Sequence, residues 1–157
     1  MTEKEFLEQV RENQGIIYKL VGLYATGAEE KKDLCQEVLL QCWKALPSFR
    51  GEAKFSTWLY RICLNTILTQ KRKISFIDYR ESLEDIAPGL VNSNDENKSL
   101  EWALRQLAET DRAIISMHLD GYDNTEIAAV IGIAASHIAV KLHRIKKHLT
   151  TLLKTDL

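Results

Sequence analysis

Apolar residues recur every three or four positions along most of the chain, the interval that stacks them on one face of an α-helix. Phe6, Val10, Ile17 and Leu20 predict a first helix. Thr2 and Glu5 open it with the spacing of a capping box, Gly15 kinks or interrupts it, and Thr26-Gly27 ends it. Leu34, Val38, Cys42 and Leu46 stand one turn apart and predict a second helix over about 29–46, stopped by Pro47. After a loop over 47–55, Ser56 or Thr57 is the expected cap of a third helix. Its predicted buried stripe is Trp58, Leu59, Ile62, Cys63 and Ile67, and it ends in Lys71-Arg72-Lys73. Residues 75–98 keep no period and contain Pro88-Gly89 and Asn92-Ser93-Asn94-Asp95, which read as turn and linker.

Beyond the linker, Leu100, Leu104 and Leu107 mark one helix, and Ala113, Ile114, Met117 and His118 mark another, closed by Gly121. Asp123 and Glu126 repeat the capping-box spacing ahead of a short helix with Ile127, Ala128 and Ile131 inward. Gly132 then turns the chain into a last helix over about 135–153, with Ile138, Leu142, Ile145 and Leu149 inward. The expected fold is all-α, with two small helical domains, 1–74 and 99–157, joined by the linker 75–98.

Composition supports that reading. With 157 residues, two prolines and seven glycines, the chain is poor in the residues that a turn-rich β-fold needs. No apolar run approaches the roughly 20 residues that span a bilayer, and the charged N-terminus has no apolar signal core. The expected location is the cytoplasm, with no membrane partner. A net charge of −1 conceals an uneven distribution. Residues 1–74 hold 12 Lys/Arg against 9 Asp/Glu, whereas 75–98 hold 2 against 6. Positions 137–154 carry five Lys/Arg and no acid, so an acidic linker separates two parts with basic faces. Cys35, Cys42 and Cys63 form no CxxC and suit neither a disulfide framework nor a zinc knuckle. The chain has no phosphate-cradling glycine loop, HExxH or nucleophile elbow. No catalytic residue, metal or cofactor is expected, and the protein is not expected to be an enzyme.

Three constellations remain. The segment from Asp123 to Lys147 has the order of a helix-turn-helix, whose second helix fits the major groove of duplex DNA. With Ile138, Leu142 and Ile145 inward, His137, Lys141, Arg144, Lys147 and His148 form an outward, mostly basic strip suited to phosphates, unless it is only a solvated face. On the second helix, Leu39, Leu40 and Trp43 cannot all share the buried stripe. They leave an apolar patch beside Asp33, Gln36 and Glu37, which is either a protein contact or a surface covered by the first helix. Between Phe49 and Lys73, aromatic and basic residues alternate, as in proteins that stack unpaired bases and hold their backbone. Trp58 is assigned to the core there, whereas Arg61 and Arg72 are read as phosphate contacts.

The residues at 33–38 (Asp-Leu-Cys-Gln-Glu-Val), 43–51 (Trp-Lys-Ala-Leu-Pro-Ser-Phe-Arg-Gly) and 55–62 (Phe-Ser-Thr-Trp-Leu-Tyr-Arg-Ile), with Asn65, resemble region 2 of bacterial extracytoplasmic-function sigma factors. Residues 107–149, including 126–133 (Glu-Ile-Ala-Ala-Val-Ile-Gly-Ile), resemble their region 4. The resemblance implies a transcription initiation factor that brings core RNA polymerase to promoters. It implies that Asp33, Gln36, Glu37, Leu40 and Trp43 dock on the clamp coiled coil of the largest polymerase subunit. It assigns Phe49, Arg50, Lys54, Phe55, Tyr60, Arg61, Asn65, Lys71 and Arg72 to the −10 element of promoter DNA, and Ser136, His137, Lys141 and Arg144 to the −35 element. It admits an anti-sigma protein as a second protein partner, and it suggests that the acidic linker mimics the transcript. Four positions depart from the family pattern: Ala134 and Ala135 stand where Ser or Thr is usual, Ala139 where a basic residue is frequent, and His137 where Thr is frequent. The rival readings are a stand-alone helix-turn-helix regulator, and a protein that occupies the polymerase site without starting transcription.

If Lys141 and Arg144 touch phosphates, replacing both with Ala lowers the slope of log affinity for promoter duplex against log salt by about one released ion per residue. An unchanged slope in a salt titration removes that assignment.

Overall fold

The structure, a computed structural model, describes residues 1–78 and 96–155, with side chains over 1–72 and 99–154. Among the described residues every regular element is helical, and the chain divides into two compact units, Met1–Arg80 and Glu81–Leu157. Residues 79–95, with Pro88-Gly89 and the acidic Glu81, Glu84 and Asp85, lie outside the described residues, and so does the reading of that segment as a transcript mimic.

The first unit begins with two helices rather than one, α1 (Glu3–Glu12) and α2 (Gln14–Tyr24). The capping box forms: Thr2 Oγ1 accepts from the Glu5 amide at 3.2 Å, and Glu5 Oε2 accepts from the Thr2 amide at 2.9 Å. The break falls at Asn13, not Gly15. The Asn13 amide donates to the carbonyls of Gln9 and Val10, and its Nδ2 donates to Gln9 at 2.8 Å. A short amide side chain that bonds to the preceding turn competes with continuation of the helix. Helix α3 (Ala28–Ala45) follows Gly27, whose φ of 117° excludes most side chains. At its end, Leu46–Ser48 tightens into a 3₁₀ turn around Pro47, which has no amide hydrogen to continue the α-helical ladder.

Helix α4 (Phe55–Asp78) starts earlier and ends later than its sequence signals suggest. The Lys54 carbonyl accepts the first bond, from the Trp58 amide at 3.1 Å, so Ser56 and Thr57 lie inside the helix and do not cap it. No Gly or Pro interrupts 55–78, and the helix runs through the basic triplet. Its buried stripe is rotated from the expected one. Leu59, Tyr60, Cys63, Leu64 and Ile67 are buried, while Trp58 and Ile62 are only half-buried. Helix α4 packs against both α2 and α3, so its core face must be wide enough to meet two neighbours.

The second unit holds α5 (Glu96–Arg105), α6 (Glu109–Leu119), α7 (Asn124–Ile131) and α8 (Ala135–Thr155). No serine or aspartate side chain caps α6. Instead Arg112 Nη2 donates to the carbonyls of Arg105 and Leu107, at 2.9 and 3.0 Å, which ties the corner between α5 and α6. Asp123 caps α7 by accepting from the Glu126 amide at 2.8 Å. Gly132, at φ 88°, donates to the Ala128 carbonyl and closes α7. Three residues, 132–134, separate α7 from α8, and the two axes are bent by 100°, the geometry of a helix-turn-helix. Ile127, Ile138, Leu142, Ile145 and Leu149 are all buried at their predicted spacing. No single helix among the described residues is long and apolar enough to cross a membrane.

Phe6 is the one buried residue of α1, and its ring packs edge-on against Trp43 of α3 (5.6 Å) and Phe55 of α4 (6.3 Å). Phe6→Ala is expected to cost about 3 kcal/mol of stability in urea unfolding, against less than about 0.5 kcal/mol for exposed Leu7→Ala.

Candidate functional site

Three surfaces carry the residues that the sequence singles out, two on the first unit and one on the second. On α3, Leu34, Val38 and Cys42 are buried, which turns the next two side chains of each turn outward. Leu39 and Leu40 are exposed, and Trp43 keeps 47% of its surface open although Phe6 covers one edge. Helix α1 therefore does not cover this patch. Asp33 and Gln36 are exposed beside it, while Glu37 is half-buried and accepts a hydrogen bond from Gln41 Nε2 at 2.9 Å. Glu37 also lines a cleft of about 280 Å³ between α3 and α4, whose other wall includes Ile62 and Asn65. The cleft thus brings together one residue assigned to the polymerase and one assigned to DNA.

The second surface combines the 49–54 loop with the outer face of α4. Phe49 lies half-buried, 5.7 Å from the ring of Phe55 and 5.3 Å from that of Trp58. Arg50 and Lys54 are exposed, and Gly51 at φ 75° provides the turn between them. Two expectations need correction. Phe55 is only 8% exposed, and Tyr60 is fully buried with its hydroxyl accepting from Lys19 Nζ at 2.8 Å. Both rings are packed on the two-sided core face of α4, and a base has no face of either on which to stack. Trp58, which the sequence assigns to the core, is the ring left half open. Arg61, Asn65 and Arg72 are exposed and share one face of α4 by their spacing of four and seven. Lys71 is committed elsewhere: its Nζ lies 2.6 Å from Glu30 Oε1. Nothing in local spacing announces Lys19 or Glu30, because each meets its partner across 41 residues.

Glu30 is held by more than Lys71, since its Oε2 accepts from the Thr26 amide at 3.1 Å and from Thr26 Oγ1 at 2.6 Å. Burial pushes its carboxyl up, but the bonds from Lys71 and Thr26 outweigh that and hold it below its ordinary value of 4.5. The cysteines behave as core residues. Burial pushes the Cys42 thiol up to about 12 and Cys63 well above its usual range, with charge on Cys42 and Cys35 adding to the latter. Thiols kept protonated in this way are poor nucleophiles.

The third surface is α8. The Ala134 carbonyl accepts from the amides of His137 and Ile138, so Ser136 lies in the first turn and does not cap the helix. Ser136, His137, Val140, Arg144 and Lys147 are exposed. Lys141 is half-buried, 3.9 Å from Asp111 Oδ1 of α6, which neutralises part of its charge.

The chain matches the family model of Sigma-70 region 2 over residues 9–76 and that of Sigma-70, region 4 over residues 98–149. It is 30% identical to the ECF RNA polymerase sigma-E factor of Escherichia coli K12, over 92% of this chain and 84% of that protein. It is 29% identical to the RNA polymerase sigma-H factor of Pseudomonas aeruginosa, over 87% and 83%. Its fold is that of the sigma factor RpoE from Bartonella quintana, solved in complex with the anti-sigma factor NepR, with a TM-score of 0.80, 24% identity and coverage of 98% and 99%. CnrH, solved with the cytosolic domain of CnrY, gives a TM-score of 0.70 at 18% identity.

The lowered Glu30 carboxyl contributes stability that is in place above pH 4.5 and is lost as pH falls through its depressed folded value. Urea unfolding is therefore expected to show Glu30→Gln less stable than the native chain at neutral pH, with the gap narrowing on acidification. A gap that widens contradicts the assignment.

Proposed function

The chain belongs to the extracytoplasmic-function sigma factors, which direct core RNA polymerase to promoters and start transcription, and we propose that its two units divide this task among the three surfaces. The α3 patch is the polymerase anchor. Leu40 and Trp43 fill an apolar contact on the clamp coiled coil of the largest subunit, with Asp33, Gln36 and Glu37 as its polar rim. The observation that carries this is the exposure of Leu39, Leu40 and Trp43 together on a helix whose other face is fully used by the core.

Strand capture falls to the loop and α4. An unpaired base of the −10 element stacks against the open side of Phe49 and Trp58, while Arg50, Lys54, Arg61, Asn65 and Arg72 hold its backbone. Lys71 serves chiefly to brace α4 against α3 through Glu30. In the second unit, α8 enters the major groove of the −35 element, with Ser136 and His137 near base edges and Lys141 and Arg144 near phosphates. The protein supplies binding and strand separation, while the polymerase supplies the chemistry, and the work is done in the cytoplasm. An anti-sigma partner that covers the Leu40–Trp43 patch would compete with polymerase for it. A stand-alone regulator is not favoured, because such a protein has no use for a region 2 unit with an open apolar α3 face.

A pull-down with purified core polymerase tests the anchor. Gln36→Ala combined with Trp43→Ala is expected to weaken retention about thirtyfold, the scale of a lost aromatic hot spot. Equal retention of native and variant chains overturns the proposal.

A further inference from the structure

The centre of the outward face of α8 is apolar. Taking about 100° per residue, Val140 lies about 200° round the helix from Ile138, opposite the buried line of Ile138, Leu142, Ile145 and Leu149. It is 49% exposed. A β-branched residue is also a poor choice for an exposed helical position on conformational grounds. What distinguishes it from a stray surface valine is its surroundings. His137 precedes it by three residues, Arg144 follows by four and Lys147 by seven, so cationic or titratable side chains border it on the same face.

We infer that Val140 reads the C5-methyl group of a thymine in the major groove of the −35 element. This rests on the reading of α8 as the duplex-reading helix. Cations at the edge of the face bring the helix to the phosphate backbones, and the residue at its centre then meets base edges. Over the first two turns of α8, residues 135–142, there is no Arg, Asn, Gln, Asp or Glu; the polar side chains there are Ser136, His137 and Lys141, and Lys141 lies 3.9 Å from Asp111. Apart from the methyl group of thymine, the major-groove edges of the bases offer only hydrogen-bond donors and acceptors. An apolar side chain in that place recognises the methyl or leaves a base edge unsatisfied.

The test uses holoenzyme formed from the full chain and core polymerase, with promoter duplexes randomised across the −35 element. Fragments retained by the native chain are expected to share a thymine at one position. Deoxyuracil there, which lacks only the methyl, is expected to weaken binding about fourfold, the value of one buried methyl-sized group. Val140→Ser should bind thymine and deoxyuracil alike, whereas Val140→Thr, which keeps a methyl, should retain the preference. Val140 is half exposed and outside the core, so the variants should fold as the native chain does. Equal binding of thymine and deoxyuracil by the native chain, or no enriched thymine, overturns the inference. The wider reading fails separately, if Lys141→Ala with Arg144→Ala leaves the salt dependence of duplex binding unchanged.

Discussion

The first unit depends on one constraint, that α4 has to be buried against two helices at once. Contact with both α2 and α3 draws Leu59, Tyr60, Cys63, Leu64 and Ile67 inward and fills nearly half of the helical circumference. Every side chain that remains is assigned to the outside by default, and these include Arg61, Asn65 and Arg72 in one line. The face proposed for nucleic acid is therefore the complement of the core face. A helix packed on one side only would have left Tyr60 at the surface. The ion pair from Lys71 to Glu30 stiffens the same arrangement further along, joining the late turns of α4 to the first turn of α3.

The second unit solves a different problem with less material. Helix α8 projects from a core small enough to leave its outward face in solvent. Four apolar residues of α8 at spacings of four, three and four are enough to seat it. The sharp turn at Gly132 then allows α7 to close the core from the other side. The start of α8 has no capping side chain, since Ala134 offers only its carbonyl. A positive helix end without a side-chain acceptor favours an approaching anion.

Most of the helices were legible because burial on one face leaves a period of 3.6 in the sequence, as at Leu34, Val38 and Cys42 and at Ile138, Leu142, Ile145 and Leu149. The departures arose where another interaction outranked the period. At Asn13 the apolar spacing continues across the break, and a side-chain bond to the backbone ends the helix. At Phe55, Trp58 and Tyr60 alternation of aromatic and basic residues revealed the chemistry but not the orientation. Which ring is buried is decided by helices distant in sequence. The same distance hid Lys19 and Glu30, whose partners lie 41 positions away. The α3 patch was legible as an excess of large apolar side chains, but only the structure shows that α1 meets Trp43 and still leaves Leu39, Leu40 and nearly half of Trp43 exposed.

Phe6 occupies an unusual place in this arrangement. One ring, carried by the outermost helix, leans on Trp43 from one side and on Phe55 from the other, and Phe55 in turn supports Phe49 and Trp58. The surface proposed for polymerase and the surface proposed for the opened strand thus rest on one ring. Thr2 and Glu5 secure the start of the helix that carries it, so the capping box steadies the ring beneath both surfaces.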